Sequence, residues 1–134
     1  MDENLTAARI HLDQAREAIR AAELLADNGL ARSSIERSYY AAFHAASAVL
    51  ASHGIYPSTH DGVISMLALH FVKAGALSKT AGRDLQRLQD QRLVADYKGY
   101  LDQDATDAAE CLDLARAFLA AVSPLLPGDA KPAR

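Results

Sequence analysis

Apolar residues return at alternating intervals of three and four along most of this chain. Leu5, Ala8, Leu12, Ala15, Ile19 and Ala22 form the first such run, the spacing of one helix face laid against a bundle. It predicts a helix from Leu5 to Asp27 that ends at Asn28-Gly29, where glycine accepts the left-handed cap. A second helix is predicted from Ala31 to His53, stopped by Gly54 and Pro57, with Ile35, Tyr39, Phe43, Ala46 and Leu50 on one face. Thr59 can cap a third helix carrying Val63, Ile64, Leu67 and Phe71, closed by Gly75. Ser78 can cap a fourth, which runs to about Tyr97 with Leu85, Leu88 and Ala95 on a stripe that Arg92 interrupts, and Gly99 breaks it. Asp104 opens a fifth through Asp-Ala-Thr-Asp, with Ala108, Leu112, Ala115, Leu119 and Val122 ahead of Pro124. No alternating strand pattern and no internal repeat occurs. The expectation is an all-α fold, an antiparallel bundle of four to five helices over residues 1–126, followed by a disordered tail, 127–134.

The second helix stands apart. Between Ser38 and His60 there is no Asp, Glu, Lys or Arg, so the helix is expected to be covered on most sides. It nevertheless carries Arg37 and His44. Seven residues turn a helix through about 700°, about 20° short of two full turns, so both side chains share a face about 10 Å apart along the axis. Tyr40 lies between them, Ser47 continues the polar stripe, and Ala41, Ala48 and Ala51 flank it. Small flanking residues would let another backbone approach closely. A homodimer with these helices near the two-fold axis is therefore expected.

Composition narrows the classes. Half of the 134 residues are hydrophobic, only 6% are aromatic and Trp is absent, so Ala and Leu must fill the core, which favours helices over a sandwich or barrel. The net charge of −3 argues against a broad electrostatic nucleic-acid surface. One cysteine, Cys111, cannot form an internal disulfide, which fits a reducing cytosol. The polar start shows no signal peptide, and the longest uncharged run is broken by Gly54 and Pro57, so no membrane span is expected. The expected location is cytoplasmic.

Arg37 and His44 are the strongest chemical pair. An imidazole moves a proton near neutral pH, and a guanidinium holds a phosphate through parallel hydrogen bonds. Together they suit metal-free RNA cleavage by the 2′-hydroxyl. The structural alternative is a bundle-edge arginine and a satisfied core histidine. Tyr39 reads as core; Tyr40 either orients His44 or packs with a bonded hydroxyl. Arg92, Asp96 and Tyr97 form a second cluster, in which Arg92 and Asp96, four apart, can pair along the helix as a partly buried ion pair. His11, His53, His60 and His70 show no paired ligand spacing with one another or with His44, so neither a zinc site nor another cofactor is expected.

Arg-Ser-Tyr-Tyr-Ala-Ala-Phe-His-Ala-Ala resembles the Arg-x-Tyr-Tyr-x-x-Phe-His-Ala-Ala helix of HEPN domains (higher eukaryote and prokaryote nucleotide-binding), in their small prokaryotic subgroup. Gln-Arg-Leu-Val-Ala-Asp-Tyr, ending at Tyr97, resembles a second signature of that subgroup, and Thr-His-Asp-Gly-Val from Thr59 lies between the two as it does there. The resemblance spans about Leu5 to Val122. It implies a helical bundle that forms homodimers and an Arg–x4–6–His motif met by Arg37 and His44. In ribonuclease members two such motifs meet across the dimer to form one RNA-cleaving site. Many small members pair, as toxin, with a minimal nucleotidyltransferase antitoxin. This chain departs from the pattern at Ser38, where catalytic members often carry Asn, Asp or His, and in placing the motif on the second helix rather than late in the bundle. The resemblance thus implies either a metal-independent endoribonuclease toxin, with Arg37 and His44 catalytic and Ser38, Tyr40, Ser47, Arg92, Asp96 and Tyr97 supporting, or a non-catalytic module that binds a nucleotide or a protein partner.

Overall fold

The computed structural model describes residues 2–97 and 103–130, with the side chains of 95–97 and 129 outside that description. Among the described residues five α-helices make up the bundle: α1 Glu3–Asp27, α2 Ala31–Ser52, α3 His60–Leu67, α4 Lys79–Tyr97 and α5 Ala105–Val122. No strand occurs among the described residues. The architecture is the all-α bundle that the periodicity predicts.

Local chemistry sets the boundaries. Asp2 caps α1 by accepting from the Asn4 amide at 2.9 Å, and Thr59 does the same for α3 from Gly62 at 2.9 Å. Ser78 accepts from Ala81 at 3.1 Å. Asp104 and Asp107 form a reciprocal capping box at the start of α5. Such caps each stabilise a helix by about 1 kcal/mol. Gly29 and Gly54 leave α1 and α2 at φ +76°, and Gly75 leaves the third segment at φ +87°, a conformation that costs other residues steric strain. Gly99 lies outside the described residues.

The third segment differs from a plain helix. After α3 the chain widens into a π-helical turn, Ala68–Val72, where the Lys73 amide bonds the Ala68 carbonyl at 2.8 Å. A wider turn brings residues four apart closer to eclipse. Leu67 and Phe71 are accordingly both buried.

Helix α2 is the axis of the molecule. It packs against α1, α3, α4 and α5, and thirteen of its residues are buried. The predicted apolar face holds: Ile35, Tyr39, Ala46 and Leu50 are fully buried, with Phe43 partly so. One expectation fails. Ala41, Ala48 and Ala51, expected to admit a second copy of the helix, are 0%, 0% and 1% exposed within the single chain. The short Asn28–Leu30 connection folds α1 back onto α2, and small side chains let helices of the same chain close over this side. These three alanines offer no open surface to a second helix.

The C-terminal part of the chain returns to the bundle. Residues 128–130 form a 3-10 turn that packs on α1, with Leu126 and Ala130 buried. Residues 131–134 lie outside the described residues.

Candidate functional site

Helices α1 and α2 form an antiparallel hairpin, so residues equally far from Asn28 face one another. Ser34 and Ala22, six residues to either side, are joined by a bond from the Ser34 hydroxyl to the Ala22 carbonyl at 2.8 Å. The same pairing, one residue out of step, sets His44 against His11. Between the two helices lies a cleft of about 240 Å³ lined by Gln14, Glu17, Ala18, Ala21, Arg37, Tyr40 and His44. The α1 wall is one helical stripe, and the α2 wall is the polar stripe of the sequence. Arg37 is exposed and its guanidinium carbon stands 5.1 Å from the Tyr40 ring centroid. Tyr40 and His44 are half-buried, their ring centroids 6.5 Å apart.

His44 meets His11 directly. Their Nδ1 atoms lie 3.1 Å apart and their ring centroids 5.3 Å apart. Burial, then the charges of His11, Arg37 and His60, hold the His44 pKa down to about 4. Burial lowers that of His11 as well. At neutral pH His44 is an uncharged imidazole and can accept a proton.

The remaining residues fall into three groups. Ser38 and Ser47 are buried and do not line the cleft; the Ser38 hydroxyl has no hydrogen-bond partner among the described residues. Arg92 reaches α2 from α4, its guanidinium carbon 5.3 Å from the Tyr39 ring and 5.6 Å from the Tyr40 ring. Tyr40 thus has a guanidinium from each of two helices against its ring, a favourable placement for a cation. The side chains of Asp96 and Tyr97, and with them the expected Arg92–Asp96 pair, lie outside the described residues.

A third histidine adjoins the site. His60, at the start of α3, stacks on Phe43 with centroids 4.3 Å apart, and its Nδ1 lies 2.8 Å from the Tyr39 hydroxyl. Burial lowers its pKa, Arg92 adds to this, and Asp61 opposes it. Burial pushes the Tyr39 phenol well up, so the hydroxyl keeps its proton. Among the described residues no three His, Cys, Asp or Glu side chains gather as a metal site. Cys111 is buried, its thiol pushed up to about 11 mainly by that burial, and it is not poised as a nucleophile.

The HEPN domain family model matches residues 8–125, a stretch that contains the His11–His44 pair, His60 and every cleft residue. The chain belongs to the HEPN family. A UPF0332 protein of Pyrococcus horikoshii is 44% identical over 85 residues, which cover 63% of this chain and 60% of that protein. A Methanocaldococcus jannaschii protein named as a candidate toxin is 36% identical over 101 residues, covering 75% and 74% of the two chains. A UPF0332 protein of Thermotoga maritima is 32% identical over 113 residues, covering 84% and 86%. No described helix of this HEPN chain is long and apolar enough to cross a membrane.

His11 and His60 were not singled out from the sequence as site residues. Ligand spacing within one helix could not connect them to α2. Reflection of His44 through the Asn28 turn would have found His11, since the two lie sixteen and seventeen residues from Asn28. No comparable local signal leads to His60, whose contact with Tyr39 and Phe43 depends on how α3 docks.

Proposed function

We propose that this HEPN protein is a metal-independent endoribonuclease, the toxin of a toxin–antitoxin pair whose other member is a minimal nucleotidyltransferase. The observation that carries the reading is the opening of Arg37 and His44 into one cleft, with His44 neutral at physiological pH. The name of the Methanocaldococcus relative supports the toxin half of it. His44 takes the proton of an RNA 2′-hydroxyl while that oxygen attacks the adjacent phosphorus. Arg37 stabilises the charge that gathers on the phosphoryl oxygens. The 5′-oxygen leaves with a proton, and a 2′,3′-cyclic phosphate remains. The proton on the departing 5′-oxygen comes from solvent, to which His44 returns the one it took, so the exchange balances with a neutral His44 at rest. A homodimer joins two such clefts. Ala41, Ala48 and Ala51 are buried within the single chain, which favours a dimer that meets along the rim of the cleft.

A non-catalytic reading, in which the cleft holds a nucleotide or a protein partner, draws support from exposed Gln14 and Glu17 on the α1 wall and from the net charge of −3. A net negative charge disfavours a long polyanion. One experiment separates the two. Purified wild-type protein in chelator should cut RNA to 2′,3′-cyclic or 3′-phosphate ends, fail on a substrate with deoxyribose at the cut site, and lose activity in His44→Ala. Absence of cleavage by a homogeneous wild-type dimer supports the binding module. Growth arrest on expression, relieved by a nucleotidyltransferase gene, tests the toxin assignment.

A further inference from the structure

Two imidazole Nδ1 atoms 3.1 Å apart, as in His11 and His44, form a hydrogen bond only when one of them carries a hydrogen and the other does not. With both protonated, two N–H groups would oppose each other; with neither, two lone pairs would. The contact therefore fixes complementary tautomers on the two rings. Which ring donates follows from what surrounds the pair. His44 lines the cleft with Arg37 on its own helix, whereas His11 does not line it. A cation on the cleft side favours a lone pair on that side and turns the hydrogen of His44 toward His11. Glu17 on the facing wall is exposed, so water screens its opposite pull.

We propose that His11 is a positioning residue, whose Nδ1 accepts the Nδ1 hydrogen of His44 and so holds His44 in the tautomer that leaves its Nε2 as an unprotonated base. The contact joins the third turn of α1 to the middle of α2, so it also fixes the ring plane. The functional value of this arrangement rests on the ribonuclease reading; the tautomer itself does not. His11 does for His44 what a carboxylate does in other histidine dyads, without the negative charge that would raise the imidazole's affinity for a proton.

The test is nitrogen NMR on protein labelled in its histidines, at pH 7.5, where both rings are neutral. Wild-type His44 should show the Nδ1–H form. His11→Asn, whose side-chain oxygen stands near the position of the lost Nδ1, should keep it. His11→Phe, which fills the space without an acceptor, should release His44 toward the Nε2–H form. His11→Asp should keep the Nδ1–H form and raise the His44 pKa by adding an opposite charge. An Nε2–H form in the wild type, or a His44 tautomer unchanged in His11→Phe, overturns the proposal. If the wild type cleaves RNA, His11→Phe should lower the rate roughly tenfold and His11→Asn should retain most of it. If the wild type cleaves nothing, the ribonuclease reading fails and the NMR result still decides the role of His11.

Discussion

His44 and His60 both pack against Phe43, their centroids 5.5 and 4.3 Å from that ring, yet the chain holds them in different ways. His44 leans on another histidine, and every named charge that acts on it is positive. His60 leans on a phenol that keeps its proton, and Asp61 offsets the effect of Arg92. Burial pushes both imidazoles toward the neutral form, but only His60 has a carboxylate as a counterweight. The contrast shows how a histidine on α2 and one on α3, packed against the same ring, come to sit in different electrostatic surroundings. Spacing made His44 a candidate; its surroundings set its protonation state.

The widest gap between the two should appear in activity. His44→Ala should reduce RNA cleavage by about 10²–10⁴-fold, the usual contribution of a general acid–base group, whereas His60→Ala should leave most of it. Equal losses in the two variants would erase the distinction.

Acid stability comes next. The unfolded chain protonates His44 near 6.5 and the folded chain near 4. Between those values the unfolded state binds the extra proton. Stability is therefore complete above pH 6.5 and declines as the pH falls toward 4, by roughly 1–3 kcal/mol for a partly buried group. Melting temperatures at pH 7 and 5 should differ clearly in the wild type and less in His44→Gln. His60→Gln should flatten the dependence less than His44→Gln does.

Tyr39→Phe acts on the bracing side. It removes the hydroxyl 2.8 Å from His60 Nδ1 and keeps the buried ring, so urea unfolding should show a loss of about 0.5–1.5 kcal/mol. A loss much larger than this would mean that Tyr39 holds more than α3. The smallest effect expected is that of Asp61→Asn. With the counterweight gone, the His60 pKa should fall further in an NMR titration while that of His44 stays in place. Movement of both would show that the two sites titrate as one.

The five helices were legible because each is written locally. Thr59, Ser78 and Asp104 cap the helices they were expected to cap, and the apolar intervals of α1, α2 and α5 place their buried faces. The stripe of Arg37, Tyr40 and His44 was legible for the same reason, since one helix fixes their shared face. Ser47 belongs to that stripe by angle alone; neighbouring helices bury it, together with Ala41, Ala48 and Ala51. The expected role of those alanines in a dimer was mistaken because periodicity tells that a face is covered but not by which chain.

By itself, then, the sequence determined what depends on neighbours a few residues away: helix bounds, caps, apolar faces and the alignment of Arg37 with His44. The tertiary structure decided what depends on residues far apart in the chain. It brought His11 to His44 across 33 residues and His60 to Tyr39 across 21, and it placed Arg92 beside Tyr40. The physical reason is that protonation and tautomer answer to burial and to charges a few ångströms away in space, and only the packing of α1, α3 and α4 around α2 brings those charges close.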